Sequence, residues 1–292
     1  MFNISVLPQL IRHDIEHGET NLPPLPDAEP AVLAIDPSWR RQWRQAKQRL
    51  LDGTSPALDR LTAKQKQYLA RYLAVIGFAE FEQIVLGCSY AATHYEMPAA
   101  WRMCLLKQSY EDMQHAASYI TRGCRIAGEN YWNGVDNLTY RKNIEATYPI
   151  LRRDLGGFFA VVGLQTEAYP AETNILEALM MDPVLARWVP NEVSEEAGHL
   201  TFLYPAMREY FHSGSPEEQE RRQRQLVADN DLLMETMLAG MRRNAESFLV
   251  EKLGLDPSVM EAFAHIPERT QFIYRTIGIE ESCWPLWVRT KE

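Results

Sequence analysis

The chain repeats, with its histidines 84 residues apart, a pentad of two acids, two variable residues and a histidine: Glu111-Asp112-Met113-Gln114-His115 and Glu195-Glu196-Ala197-Gly198-His199. On an α-helix, residues three apart lie one turn above each other. Asp112 with His115, and Glu196 with His199, therefore each direct two metal-binding groups into one space. Both pentads stand in long segments of helical apolar periodicity, and strand-like alternation is almost absent. The expectation is an all-α protein in which two acid-x-x-His pairs meet inside a helical bundle.

Local punctuation divides the chain. Pro23, Pro24, Pro26, Pro30 and Pro37 mark an extended arm. A short amphipathic helix over about 37–51 closes at Asp52-Gly53. A long helix capped by Thr62 carries Leu69, Leu73, Val75, Ile76, Phe78, Phe81, Ile84, Val85 and Leu86. Pro98 opens a second helix, Ala99 to Ala127, which Gly128 stops. A third segment runs over about 147–181, interrupted at Gly156-Gly157 and Pro170, and a fourth from Pro183 to Phe211. Helices over about 216–252, 256–264 and 267–282 complete the tail. This reading predicts an arm and short helix at 1–60, a four-helix core at 61–212, and a C-terminal helical extension at 213–292 packed on the core.

Composition narrows the function classes. At 292 residues and 46% hydrophobic content the chain can bury a sizeable core, and its formal net charge is −9. Lys and Arg concentrate only at Arg221, Arg222 and Arg224, within a Gln/Glu-rich helix, so no nucleic-acid partner is expected. The first thirty residues include His13, Asp14, Glu16, His17 and Glu19 and hold no apolar run of signal or membrane-span length. A cytoplasmic protein without a membrane partner is expected. Cys88, Cys104, Cys124 and Cys283 form no CxxC and read as free buried thiols. There is no Gly-rich phosphate loop, no Gly-x-Ser-x-Gly elbow and no Cys/His zinc spacing. His13, His17, His94, His212 and His265 lack the acid pattern and read as exposed or structural.

Two acid-x-x-His pairs supply four side chains, whereas a dinuclear site wants about six. Glu82 precedes Asp112 by 30 residues and Glu167 precedes Glu196 by 29, intervals that fit a helix, a turn and a returning helix. Val75, Phe78, Ala79, Val85 and Leu86 around Glu82 predict an interior carboxylate. The run from Phe158 to Leu164 before Glu167 predicts the same. An unpaired interior charge costs several kcal/mol, so a cation is expected to compensate it. Pro170, one turn after Glu167, removes a backbone bond beside the site. Glu172 and Glu192 are alternative ligands, although Glu172 lies about 140° around the helix from Glu167.

The set Glu82, Asp112, His115, Glu167, Glu196 and His199 resembles the ligands of the ferritin-like diiron-carboxylate oxygenases. That superfamily includes ribonucleotide reductase small subunits, multicomponent monooxygenase hydroxylases and acyl carrier protein desaturases. The resemblance spans about residues 65–210 and implies a ferritin-like four-helix bundle with an added N-terminal arm and C-terminal helices. It implies that Glu82 and Glu167 bind metal from the first and third core helices, that each histidine binds one iron, and that Asp112 and Glu196 bridge or flank the pair. By the same analogy Glu111 would orient His199, and Glu195 would orient His115. Asp112 departs from the usual glutamate by one methylene, which bears on metal spacing and loading.

The expected function is a dioxygen-activating oxygenase or oxidase with two iron ions, or iron and manganese, and dioxygen as co-substrate. Its substrate would be a small organic molecule undergoing hydroxylation, N-oxygenation or desaturation. Phe78, Phe81, Tyr110, Met113, Tyr119, Phe159 and Phe202 are the expected pocket lining, with core packing as the simpler reading of each. An electron-donating reductase or ferredoxin and a homodimer are the expected partners. Two other readings stay open: a ferroxidase or iron-storage protein, and a non-catalytic bundle subunit whose buried acids pair with Arg or Lys.

Overall fold

The computed structural model describes residues 37–134, 138–173 and 175–289. Among these the chain is helical throughout, with no strand. The arm expected before residue 37 lies outside the described residues. Helix α1 (Pro37–Asp52) buries Trp39, Trp43 and Ala46. Helix α2 (Ala63–His94) begins at Thr62, whose hydroxyl accepts from the Gln65 N–H while the Gln65 side chain accepts from the Thr62 N–H. It is long and apolar enough to cross a membrane by length and composition, yet 61% of its apolar window is buried within the protein.

Helix α3 (Ala99–Ala127) starts after Pro98 and stops at Gly128, whose φ of 69° is the left-handed conformation that favours glycine. Helix α4 (Leu138–Leu151) follows. Helix α5 (Leu155–Phe158, continuing as Phe159–Ala168) is capped by Asp154, which accepts from the Gly157 N–H at 2.8 Å. Then come α6 (Ile175–Met181) and α7 (Pro183–Phe211), the latter capped by Asp182. Helix α8 comprises Pro216–Leu233, Met234–Leu238, Ala239–Ala245 and Glu246–Lys252. A 3-10 segment (Pro257–His265), α9 (Ile266–Ile277) and α10 (Leu286–Arg289) end the described chain.

The third segment expected over 147–181 is thus three helices, α4 to α6, and α4 begins well before residue 147. The break between α4 and α5 has a steric cause. A Cβ on Gly157 would lie 2.0 Å from the Ile150 carbonyl oxygen, so the chain folds back here only on glycine.

Helices α2, α3, α5 and α7 contact one another in a ring around the interior. The α2–α3 contact is antiparallel and unusually close: a Cβ on Gly77 would meet the Ala116 carbonyl oxygen at 2.7 Å, and one on Gly123 would meet that of Ala70 at 2.6 Å. Backbones this near bring the middle of α2 against the middle of α3, where the first pentad sits. Outside the ring, α1 packs on α6, α8 on α5, and α9 on α7. Helix α2 has a second apolar face: Val75 joins Ile120 and Ile144 in a separate cluster, with Phe78 and Tyr148 packed against it. Four stretches, Glu80–Val85, Phe159–Ala168, Met234–Leu238 and Glu246–Lys252, are π-helical, with i→i+5 bonding. Such stretches are rare and cluster at functional sites; the first two fall on α2 and α5, inside the ring.

Candidate metal centre

Six side chains from α2, α3, α5 and α7 converge in the ring. Glu80, Asp112, His115 and Glu196 form one group, and Asp112, Glu167 and His199 a second; within each, one ligand atom per residue lies within 4.8 Å of the others. Asp112 belongs to both. Its Oδ1 is 3.5 Å from His115 Nδ1 and 3.7 Å from His199 Nδ1. Glu196 also faces both histidines, with Oε1 3.3 Å from His115 Nδ1 and Oε2 3.8 Å from His199 Nδ1. Glu167 Oε2 lies 3.2 Å from His199 Nδ1, while its Oε1 accepts from Gln108 Nε2 at 2.7 Å. The arrangement is that of two adjacent N/O pockets joined by two carboxylates.

The histidines are held from behind by crossed partners. Nε2 of His115 lies 2.7 Å from Glu195 Oε2, and Nε2 of His199 lies 3.1 Å from Glu111 Oε2. A carboxylate at Nε2 keeps the proton there and turns the Nδ1 lone pair inward, as metal-bound imidazoles require. Truncating such a partner commonly costs 10–100-fold in metal affinity. Glu195→Ala is expected to weaken metal uptake at this candidate centre by about that factor, measured by competition with a chelator, and the partial exposure of Glu195 makes the change tolerable to the fold.

Burial sets the electrostatics. It pushes Glu80 and Glu167 well above the ordinary carboxylate range, the neighbouring acids adding to it, and raises Asp112 to about 7. Glu196 moves down: burial opposes this, but the contacts with His115 and His199 outweigh it. Burial pulls both histidines down, yet their carboxylate partners hold them well above the usual imidazole value. The bond from His199 lowers Glu111 to about 2, against burial.

Four buried atoms of the cluster make no hydrogen bond: both oxygens of Asp112, Nδ1 of His115 and Oε2 of Glu80. Other buried acids in the protein are treated differently. Asp182 receives Arg122 at 2.7 and 3.0 Å, and Glu177 receives Arg49 at 3.0 Å. The strongest charge neighbours of Glu80, Asp112 and Glu167 are instead one another, Glu196 and the histidines. Excess buried carboxylate with unpartnered lone pairs is the donor set of a borderline divalent transition metal, so these residues fit two such ions.

Glu80 stands where the sequence reading placed Glu82. Leu69, Leu73, Ile76 and Glu80 follow one buried helical stripe into the ring. Glu82, two residues on, is turned away from that stripe, and its charge is felt by Tyr148 of α4. Of the apolar neighbours that suggested burial of Glu82, Val75, Phe78 and Ala79 belong to the second face of α2, against α4, and Leu86 is exposed. Glu192 is buried one turn before Glu196 and raised to about 7 by burial, but joins neither ligand group. The side chain of Glu172 lies outside what is described. His94 and His212 are exposed and His265 is half-buried; His13 and His17 precede the described residues.

The expected pocket lining also changes. Tyr110 is half exposed, and none of the seven residues expected to line a pocket lines the cavity that adjoins the cluster. That cavity, about 90 Å³, touches Glu80 and lies between α2, α5 and α8. Comparison of the chain with family models, curated proteins and solved structures finds no match.

Proposed function

We propose that this protein is a dinuclear non-haem iron oxygenase or oxidase, built on a ferritin-like four-helix bundle of α2, α3, α5 and α7, that uses dioxygen to oxidise a small organic molecule. One observation carries the reading: Asp112, wholly buried and with both oxygens unpartnered, belongs to two ligand groups at once. A lone charge in that position would cost several kcal/mol, and two cations on either side remove the cost.

In this reading Glu80 and His115 hold one ion, Glu167 and His199 the other, and Asp112 and Glu196 lie between them. Two reduced irons so held would supply electrons to dioxygen in pairs, which side chains alone do not. The protein's own contribution is positional. Glu111 and Glu195 orient the imidazoles, Gln108 fixes one oxygen of Glu167, and burial keeps bulk water from the centre. An electron-donating protein partner is part of the proposal, and manganese in place of one iron is compatible with the ligands. Ferroxidase activity is the second reading; the apolar cavity at Glu80 favours an organic substrate over it.

The test is anaerobic loading with ferrous iron, followed by metal analysis and dioxygen uptake with a reductant. Two irons per chain and uptake that Asp112→Ala abolishes are expected. Fewer than one iron per chain after loading, or no uptake by the loaded protein, removes the reading.

A further inference from the structure

The cavity beside Glu80 has a composition that selects its occupant. Its walls are mainly apolar, with Ile76 and Ile84 from α2, Ile175 from α6, and Met237 and Met241 from α8. Among the described residues that line it, none is Lys or Arg, and Glu80 is acidic, so it offers nothing to neutralise an anion.

Three of its polar side chains are committed as donors to other groups of the protein. The Thr166 hydroxyl donates to the Val162 carbonyl at 3.0 Å and that of Thr173 to the Pro170 carbonyl at 2.9 Å. Gln83 Nε2 donates to Met237 Sδ at 3.4 Å. Tyr72 and the half-buried Asn244 also line it, and the one wholly buried amide among its walls is left with an acceptor. Gln165 is fully buried and lines the cavity, and its Oε1 has no partner.

A network behind the cavity fixes which end of that amide is left over. The Thr270 hydroxyl donates to the Ile266 carbonyl and so takes the Tyr169 hydrogen, which leaves Tyr169 Oη to accept from Asn230 Nδ2 at 3.1 Å, with Tyr274 Oη accepting its other N–H at 2.9 Å. Asn230 Oδ1 must therefore accept, and it does so from Gln165 Nε2 at 2.9 Å. The amide of Gln165 cannot flip without setting two donors or two acceptors face to face, so a carbonyl oxygen is what it has to offer. A buried acceptor left unpaired costs free energy that a donating ligand would recover.

We propose that this cavity binds a small, uncharged, largely apolar molecule whose hydroxyl or N–H donates to Gln165 Oε1, with its apolar body against Met237 and Met241. That this molecule is the substrate rests on the metal-centre reading; that the cavity binds it does not.

The experiment uses the metal-free full-length chain and three probes of matched size: 1-hexanol, methyl pentyl ether and hexanoate, titrated calorimetrically. The ether accepts a hydrogen bond but cannot donate one. Binding of 1-hexanol about tenfold tighter than the ether is expected, the factor that one net hydrogen bond gives, with hexanoate weakest. Gln165→Met should erase the preference for the alcohol, and Met241→Trp, which fills the cavity from α8, should abolish binding of both neutral probes. Equal binding of alcohol and ether, preferred binding of hexanoate, no binding of any probe, or binding unchanged by Met241→Trp overturns the proposal. Should Gln165→Met fail to fold, the wild-type preference and Met241→Trp decide it. A chain that takes up two irons but shows no preference for the alcohol loses this inference alone. One that binds 1-hexanol selectively but takes up no iron loses the metal reading alone.

Discussion

Glu80→Ala is expected to leave the chain unable to hold two irons, whereas Glu82→Ala should leave both in place. The two positions are two residues apart on one helix, and each has apolar neighbours. Only Glu80 brings an oxygen within reach of Asp112, His115 and Glu196. Removing it should weaken iron on the His115 side by on the order of 100-fold, the upper end of the cost of losing even an outer partner. His199→Ala should spare that side and empty the other. Asp112→Ala, which strips a ligand shared by both groups, should empty both. Metal analysis after loading, with chelator competition for affinities, checks the series. Loss of iron in Glu82→Ala with retention in Glu80→Ala would reverse the assignment. The metal-free Glu80→Ala protein should also be more stable than the metal-free wild type, because it no longer buries a carboxyl whose charged form is disfavoured.

The second large effect is a stability that runs opposite ways with pH depending on metal. Without metal, burial raises Glu80, Glu167, Asp112 and Glu192 above their unfolded values, and carboxylate partners raise His115 and His199. In each case the folded state binds protons more tightly than the unfolded one. Stability then falls with rising pH, from about the unfolded carboxylate value near 4.5 upward through the folded values, about 7 for Asp112 and Glu192. Glu111 and Glu196 are shifted the other way, but both are ionised in either state above about pH 6 and leave the slope there unchanged. The histidines' contribution is fully present below about pH 6.5 and disappears as pH rises through their higher folded values. A loss of several kcal/mol between pH 5 and 8, on the order of 10 °C in Tm, is expected for the metal-free protein.

Iron should reverse the trend. Its ligands bind deprotonated, so loading releases protons and tightens as pH rises. Thermal melts of loaded and chelator-treated protein from pH 5 to 8 should therefore diverge toward higher pH. A metal-free protein that gains stability over that window would contradict the electrostatic account of the site.

How far the sequence could reach is clearest at helix ends. Pro98 and Gly128 bound α3, and Pro183 opens α7, because each residue acts on its own backbone. Thr62 marks the start of α2 for the same reason, and the structure adds Gln65 to its cap. The acid-x-x-His pairs were legible because a helix imposes their spacing, and the crossing of Glu111 to His199 and Glu195 to His115 matches the arrangement expected by analogy. Glu80 was not legible. Apolar residues lie on two faces of α2, and choosing between them required knowing that α4 covers one. Ile144, which with Tyr148 supplies this cover, stands in a stretch with little periodic signal. Near-equal intervals of 30 and 29 residues then made Glu82 the symmetrical choice. The π-helical turns were invisible too, since an i→i+5 bond leaves no mark in residue type.

Every ligand of the proposed centre stands on α2, α3, α5 or α7, whereas Met237 and Met241 stand on α8, beyond the second pentad in the chain. In the proposed reading the methionine wall of the cavity is thereby encoded apart from the ligands, while Gln165 shares α5 with Glu167. Drift along α8 can remodel what the protein accepts while the reactive machinery is inherited intact, so descendants of this chain have a short mutational route to new compounds.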